Sequence, residues 1–271
     1  CYDLMAAVDK LGVLLDLPLE RQDGLLLFPI DPTHGIETNG LSYALPDGRE
    51  VLRNVTLAIL PGEQVALSGV SGSGKSLLLD MLFGLREPKS GQVTIFGVAP
   101  GDLRPDVLRR RVALARDIEI FHGTIAENVH LERPEIGIGD VRSALEVVGL
   151  RRLIQRLPDG LETALGPCGT PLTASQLQRL MIARAIAGRP DILLIDEVLD
   201  TLADEESSPI LQHILESDEK GTIVLVSNRH HLTSMMERTI RLSPSPDTSL
   251  RTRQNEIEPD QTEQAGDRSD G

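Results

Sequence analysis

The chain has 271 residues, 41 acidic side chains against 27 basic ones, a formal net charge of −14, and aromatic residues at only 2%. This length fits one large α/β domain or two small ones, and the acidic balance with so few rings excludes a nucleic-acid platform, which needs a basic face and stacking aromatics. Two cysteines, Cys1 and Cys168, exclude a disulfide framework and fit a reducing cytosolic setting; there is no signal-peptide pattern, and no apolar run reaches the roughly 18 residues that cross a bilayer.

The chain opens at Cys1 rather than Met, and a piece of a longer polypeptide is the expectation. Residues Tyr2 to Leu17 carry Leu4, Met5, Val8, Leu11 and Leu15 at helical spacing. Pro18 interrupts that pattern, and a polar segment through Asp23-Gly24 reads as a linker. Ile36–Tyr43 and Val51–Ile59 are strand-like, joined by a turn at Pro46-Asp47-Gly48.

An apolar strand, Gln64 to Ser68, then runs into Gly69-Val70-Ser71-Gly72-Ser73-Gly74-Lys75-Ser76 and a helical run, Leu77 to Leu85. G-x-x-x-x-G-K-S between a strand and a helix is the pattern of a phosphate-cradling P-loop. Glycines let successive backbone N–H groups converge on phosphate oxygens, and the following helix adds partial positive charge. The expected nucleotide-binding residues are therefore Gly69, Ser71, Gly72, Ser73, Gly74, Lys75 and Ser76. Lys75 would reach the β- and γ-phosphates, and the Ser76 hydroxyl would ligate Mg²⁺.

Beyond the P-loop, Gln92–Phe96 reads as a short β segment and Asp102–Arg184 as mainly helical, broken by Pro134, Pro158 and Pro171. Asp191–Asp196 and Thr222–Ser227 have the continuous apolar composition of buried parallel strands. Strands alternating with helices imply a doubly wound parallel sheet. Asp196 ends the most apolar strand, where a metal-organising carboxylate belongs, and Glu197 follows as a candidate general base for the attacking water. Past Pro244 the chain is polar and acidic, and a disordered tail is expected.

These motifs together resemble the nucleotide-binding domain of an ATP-binding cassette (ABC) transporter, over roughly residues 25 to 243. Leu41-Ser42-Tyr43 stands where that family keeps its adenine-stacking aromatic. Phe121 to Asn128 and Leu157 to Thr163 resemble phrases of the exporter branch, and Tyr2–Leu17 is similar to the cytoplasmic end of an exporter's last transmembrane helix. The resemblance implies an α/β P-loop NTPase (RecA-like) fold. Its parts would be a parallel sheet core, an antiparallel β subdomain and an inserted helical subdomain at about 116–185. It further implies residues 1–24 as helix and linker from an upstream transmembrane domain, and 244–271 as the acidic tail. The implied ligands are ATP and Mg²⁺, with Tyr43 on the adenine and Ser76 and Asp196 on the metal. The implied partners are an exporter's transmembrane domain and a second cassette, at the cytoplasmic face of the membrane.

Four motifs depart from the family pattern. The signature Leu-Ser-Gly-Gly-Gln aligns with Leu172-Thr173-Ala174-Ser175-Gln176. Thr173 and Ser175 are the residues expected to face the partner's ATP, but β-carbons replace both glycines. Thr173 with Gln176 also reads as a helix capping box. The Q-loop glutamine aligns with Arg116, whose charge repels Mg²⁺ but can pair with phosphate. The switch histidine aligns with Asn228, and losing one transition-state donor typically costs about 3–4 kcal/mol. Asp200-Thr201-Leu202-Ala203 replaces Ser-Ala-Leu-Asp. The expected catalytic set is thus Glu197, Lys75 and Asn228, working weakly or with a partner, and the altered signature favours a non-identical partner. The alternative is a degenerate cassette that binds ATP as a regulatory clamp with little hydrolysis. A soluble cassette acting on DNA or the ribosome and a P-loop kinase fit less well.

Overall fold

The computed structural model describes residues 22–28, 33–217 and 221–243. The helix expected at Tyr2–Leu17 and the tail expected past Pro244 fall outside the described residues. Two sheets organise the fold. The first is antiparallel, with strands β1 (Ile36–Ala44), β2 (Glu50–Ile59) and β4 (Ser90–Ile95) in the order β2-β1-β4. The expected turn joins β1 to β2: Asp47 Oδ1 accepts from the Arg49 N–H at 3.0 Å, and Gly48 takes φ 84°.

The second sheet is wholly parallel. It contains β3 (Gln64–Ser68), β5 (Val112–Ala115), β8 (Ile192–Asp196), β9 (Thr222–Val226) and β10 (Arg238–Arg241), in the order β10-β3-β9-β8-β5. Every residue of β8 and β9 is buried, which is why both read as unbroken apolar runs. Side chains alternate between two cores. Leu193, Ile195, Ile223 and Leu225 face a core shared with helices α3 (Ile125–His130), α4 (Ile138–Val147) and α6 (Ala174–Ile186). Ile192, Leu194, Val224 and Val226 face the other, shared with helix α1 (Lys75–Leu82) and the antiparallel sheet. The expected α/β architecture of parallel core, antiparallel sheet and intervening helices is what the chain adopts.

Three local expectations change. The stretch expected to be mainly helical carries α2 (Pro105–Arg111), α5 (Arg151–Ile154) and the helices above, but also the edge strand β5 and a small pair, β6 (Gly123–Thr124) with β7 (Ala164–Leu165). Four residues, Val-Ala-Leu-Ala, are too few to show a period, and pairing with β8 decides their state. Helix α1 begins at Lys75 rather than Leu77 and stops at Leu82, because Gly84 turns away with φ 75°. Strand β10 was not expected; it follows α8 (His230–Thr233) and closes the sheet edge beside β3. The remaining helix, α7 (Asp204–Leu215), links β8 to β9.

Candidate functional site

The P-loop residues lie between the end of β3 and the start of α1. Gly69, Gly72 and Gly74 take φ of 153°, 78° and 90°. At Gly74 glycine is required twice over, since a β-carbon would also come within 2.4 Å of Leu52 Cδ2. Ser73, Gly74 and Lys75 are buried, while Ser71 and Gly72 are exposed. Lys75 folds over the loop, donating from Nζ to the carbonyls of Gly69 (2.9 Å) and Val70 (3.3 Å). Helix α1 has neither a side-chain cap nor an acid in its first turn, so its leading N–H groups remain for an anion. Ser73 Oγ is buried with no protein partner.

Asp196 arrives from the C-terminal end of β8, and its side chain is 4% exposed. Its Oδ1 accepts from the Ser76 hydroxyl at 3.1 Å, so the two expected metal residues meet across 120 residues of sequence. Its Oδ2 accepts from Arg116 Nε at 2.7 Å. The same guanidinium donates to Asp80 Oδ1 (2.7 Å) and to the Ser76 carbonyl (3.2 Å). Asp80 in turn accepts from Arg86 Nε at 2.9 Å, and Arg86 reaches the Tyr43 hydroxyl at 3.3 Å. A continuous chain of polar contacts therefore joins Tyr43 on β1 to Ser76 at the P-loop. Burial works against the charge of Arg116, but the bonds to Asp80 and Asp196 and their charges outweigh it, and its pKa rises above the ordinary arginine value.

Glu197 follows Asp196 in the left-handed region, φ 54°, which turns its carboxylate out of the strand line into the cleft. Ser76, Arg116, Asp117, Gln178, Asp196 and Glu197 line that cleft. Asn228 donates its side-chain amide to Glu197 Oε1 at 3.0 Å. Asp200 fixes this pair from below, accepting from the Asn228 backbone N–H (2.8 Å) and the Ser227 hydroxyl. Sequence reasoning placed Asp200 only as a departure from a motif; here it is the support of Asn228.

Tyr43 sits opposite Leu52 in the β1–β2 register, and Leu52 lies against Gly74 of the P-loop. Thr173 and Ser175 are not brought to this cleft. Thr173 forms the expected capping box of α6: its N–H donates to Gln176 Oε1 at 2.9 Å and its hydroxyl accepts from the Gln176 N–H at 3.4 Å. Ser175 donates to Glu206 Oε2 on α7 at 2.8 Å. Sequence reasoning missed Asp80 and Arg86. Their only signal was two opposite charges six apart at the end of a P-loop helix. Among the described residues no group of three or more His, Cys, Asp or Glu side chains converges as a metal site, and no helix is long and apolar enough to cross a membrane.

A family model described as ABC transporter matches residues 52–200. A protein named ATP-dependent lipid A-core flippase from Ralstonia nicotianae is 39% identical over 229 residues, 82% of this chain and 38% of that protein. Its namesake from Neisseria gonorrhoeae is 36% identical over 240 residues, 88% of this chain and 38% of that protein. The solved structure of a bacterial Atm1-family ABC exporter with ATP bound superposes with a TM-score of 0.76 at 22% identity, covering 92% of this chain and 45% of that one. That likeness speaks to the fold. The chain spans less than half the length of the curated relatives it matches.

Proposed function

The chain belongs to the ABC transporter family as an exporter-type nucleotide-binding domain, and we propose that it binds and hydrolyses ATP to power export across a membrane. The observation that carries this reading is that Ser76, Asp196 and Glu197 line one cleft, with Lys75 on the P-loop next to Ser76 and Asn228 bonded to Glu197. Lys75 and the α1 N-terminus form a phosphate cradle, Ser76 and Asp196 join its floor, and Glu197 with Asn228 stands beside it.

In this reading Tyr43 packs on the adenine. Gly69 to Ser76 hold the phosphates through backbone N–H groups and the Lys75 ammonium. Glu197 takes a proton from the attacking water, and Asn228 orients the Glu197 carboxylate through its amide. Thr173 and Ser175 serve the nucleotide of a second cassette, since they lie away from this chain's own cradle. Their β-carbon-bearing signature favours a non-identical partner. Residues 1–24 would connect to a transmembrane domain, 25–243 would form the cassette with its helical part at about 116–185, and the whole would sit at the cytoplasmic face of the membrane. The relatives' names give lipid A-core as their cargo, which makes a lipid the first cargo class to test.

Ser76 and Asp196 are the donor types that hold Mg²⁺ beside nucleotide phosphates. The Ser76 hydroxyl donates to one Asp196 oxygen and keeps its own lone pairs, but as folded the other Asp196 oxygen accepts from a guanidinium, whose positive charge stands where the ion would be. That arrangement does not fit a hard divalent ion.

The test is ATP binding and turnover by the purified chain, alone and with a cassette that carries an intact signature. Binding in both cases, with turnover only in the pair, is the expected result. Binding without turnover in either case would move the chain to the clamp reading.

A further inference from the structure

Resting on the nucleotide-site reading above, we propose that Arg116 is the resident cation of the Asp80–Asp196 carboxylate pair, and that this chain therefore binds ATP with little dependence on Mg²⁺. Two carboxylates from different elements, one at the end of β8 and one on α1, point at the same guanidinium at 2.7 Å each. Asp80 is 13% exposed, Asp196 4% and Arg116 26%, so the contact is largely withdrawn from water. An unpaired carboxylate so placed would be strongly unfavourable. Arg86 adds a second positive charge to Asp80 from its outer side. Two acids are thus balanced by two guanidinium groups before any ligand arrives.

That balance changes what the site accepts. A divalent cation beside the Ser76–Asp196 pair would have to displace Arg116 from Asp196 Oδ2 and then bear its repulsion. Mg²⁺ demands close octahedral oxygen ligands and gives up its water reluctantly, so it competes poorly for an oxygen already held by a charged N–H donor. A nucleotide phosphate has the opposite preference. Arg116 lines the cleft beside Ser76 and Glu197, its three bonds fix its position, and the second N–H of each Nη is left to donate to phosphate oxygens. Together with Lys75 it supplies monovalent positive charge in the place where a metal would otherwise be needed.

The test is binding of a fluorescent ATP analogue to the purified 271-residue chain in excess EDTA and in millimolar Mg²⁺. For the wild type the two dissociation constants should agree within about threefold. Arg116→Gln should weaken binding in EDTA by more than about tenfold relative to Mg²⁺, the order of one charge-assisted hydrogen bond. Arg116→Lys, which keeps the charge but loses the fork, should fall between them. A wild type that weakens more than about threefold on removal of Mg²⁺, or as much as Arg116→Gln does, overturns the inference. The wild-type ratio alone decides the matter if Arg116→Gln fails to fold, as judged by circular dichroism. Binding under neither condition would instead sink the nucleotide-site reading, a failure separate from loss of metal independence.

Discussion

Asn228 donates its side-chain amide to the carboxylate of Glu197 across 3.0 Å, and both are positioned by β8 and β9 lying side by side. The amide orients the carboxylate but carries no charge to follow the reaction. Asn228→His should therefore raise turnover in the paired assembly, by about tenfold or more. Steady-state ATP hydrolysis measures this, and no increase would count against the assigned roles.

Glu197→Gln keeps a hydrogen-bonding group of the same size but removes the base. Turnover in the pair should fall by about 10²-fold or more while ATP affinity is retained. Lys75→Ala should show the reverse emphasis. It removes a charged donor from the cradle, and binding should weaken by roughly 10²-fold. Equal losses of affinity in both variants would remove the division between a holding group and a reacting one.

Two glycines should respond to alanine with opposite signs. At Gly74, φ is 90° and the new β-carbon meets Leu52 Cδ2 at 2.4 Å, so Gly74→Ala should cost about 2–3 kcal/mol. Gly139 lies in α4, and a β-carbon there meets nothing within 4 Å. Gly139→Ala should stabilise by roughly 0.5–1 kcal/mol. Thermal melts of the two variants read the difference directly.

The capping box of α3 gives a pH dependence. Backbone and side-chain bonds from Thr124 hold the Glu127 carboxyl below its usual pKa. A lowered folded value means that Glu127 stabilises the protein above the ordinary glutamate range and loses that contribution as pH falls through the lowered value. The melting temperature of Glu127→Ala should lie below the wild type at neutral pH, and the gap should narrow below about pH 4. A gap independent of pH would contradict this.

Much of the site was legible because its chemistry is local. The P-loop glycines, Lys75 and Ser76 occupy eight consecutive positions, and Thr173 with Gln176 declares a helix start within four. The buried strands β8 and β9 announced themselves by composition. What escaped notice depends on contacts made far along the chain. Asp80 and Arg116 are 36 residues apart, and Arg116 and Asp196 are 80 apart. A single charge on a helix or after a strand carries no sign that its partner is elsewhere. Strands β5 and β10 are similar cases, since each has four residues and borrows its state from the neighbour it pairs with.

The bridge from Asp80 through Arg116 to Asp196 also limits how this sequence can change. Replacing Arg116 alone leaves two largely buried acids facing one another, and replacing Asp80 alone leaves a guanidinium half-satisfied. Exchanging Asp80 and Arg116 together for a neutral pair removes the clash of the two acids, and Asp196 is then left with the Ser76 hydroxyl as its side-chain partner. The two positions are therefore expected to behave as one inherited unit, each making the other's replacement harmful until both have gone.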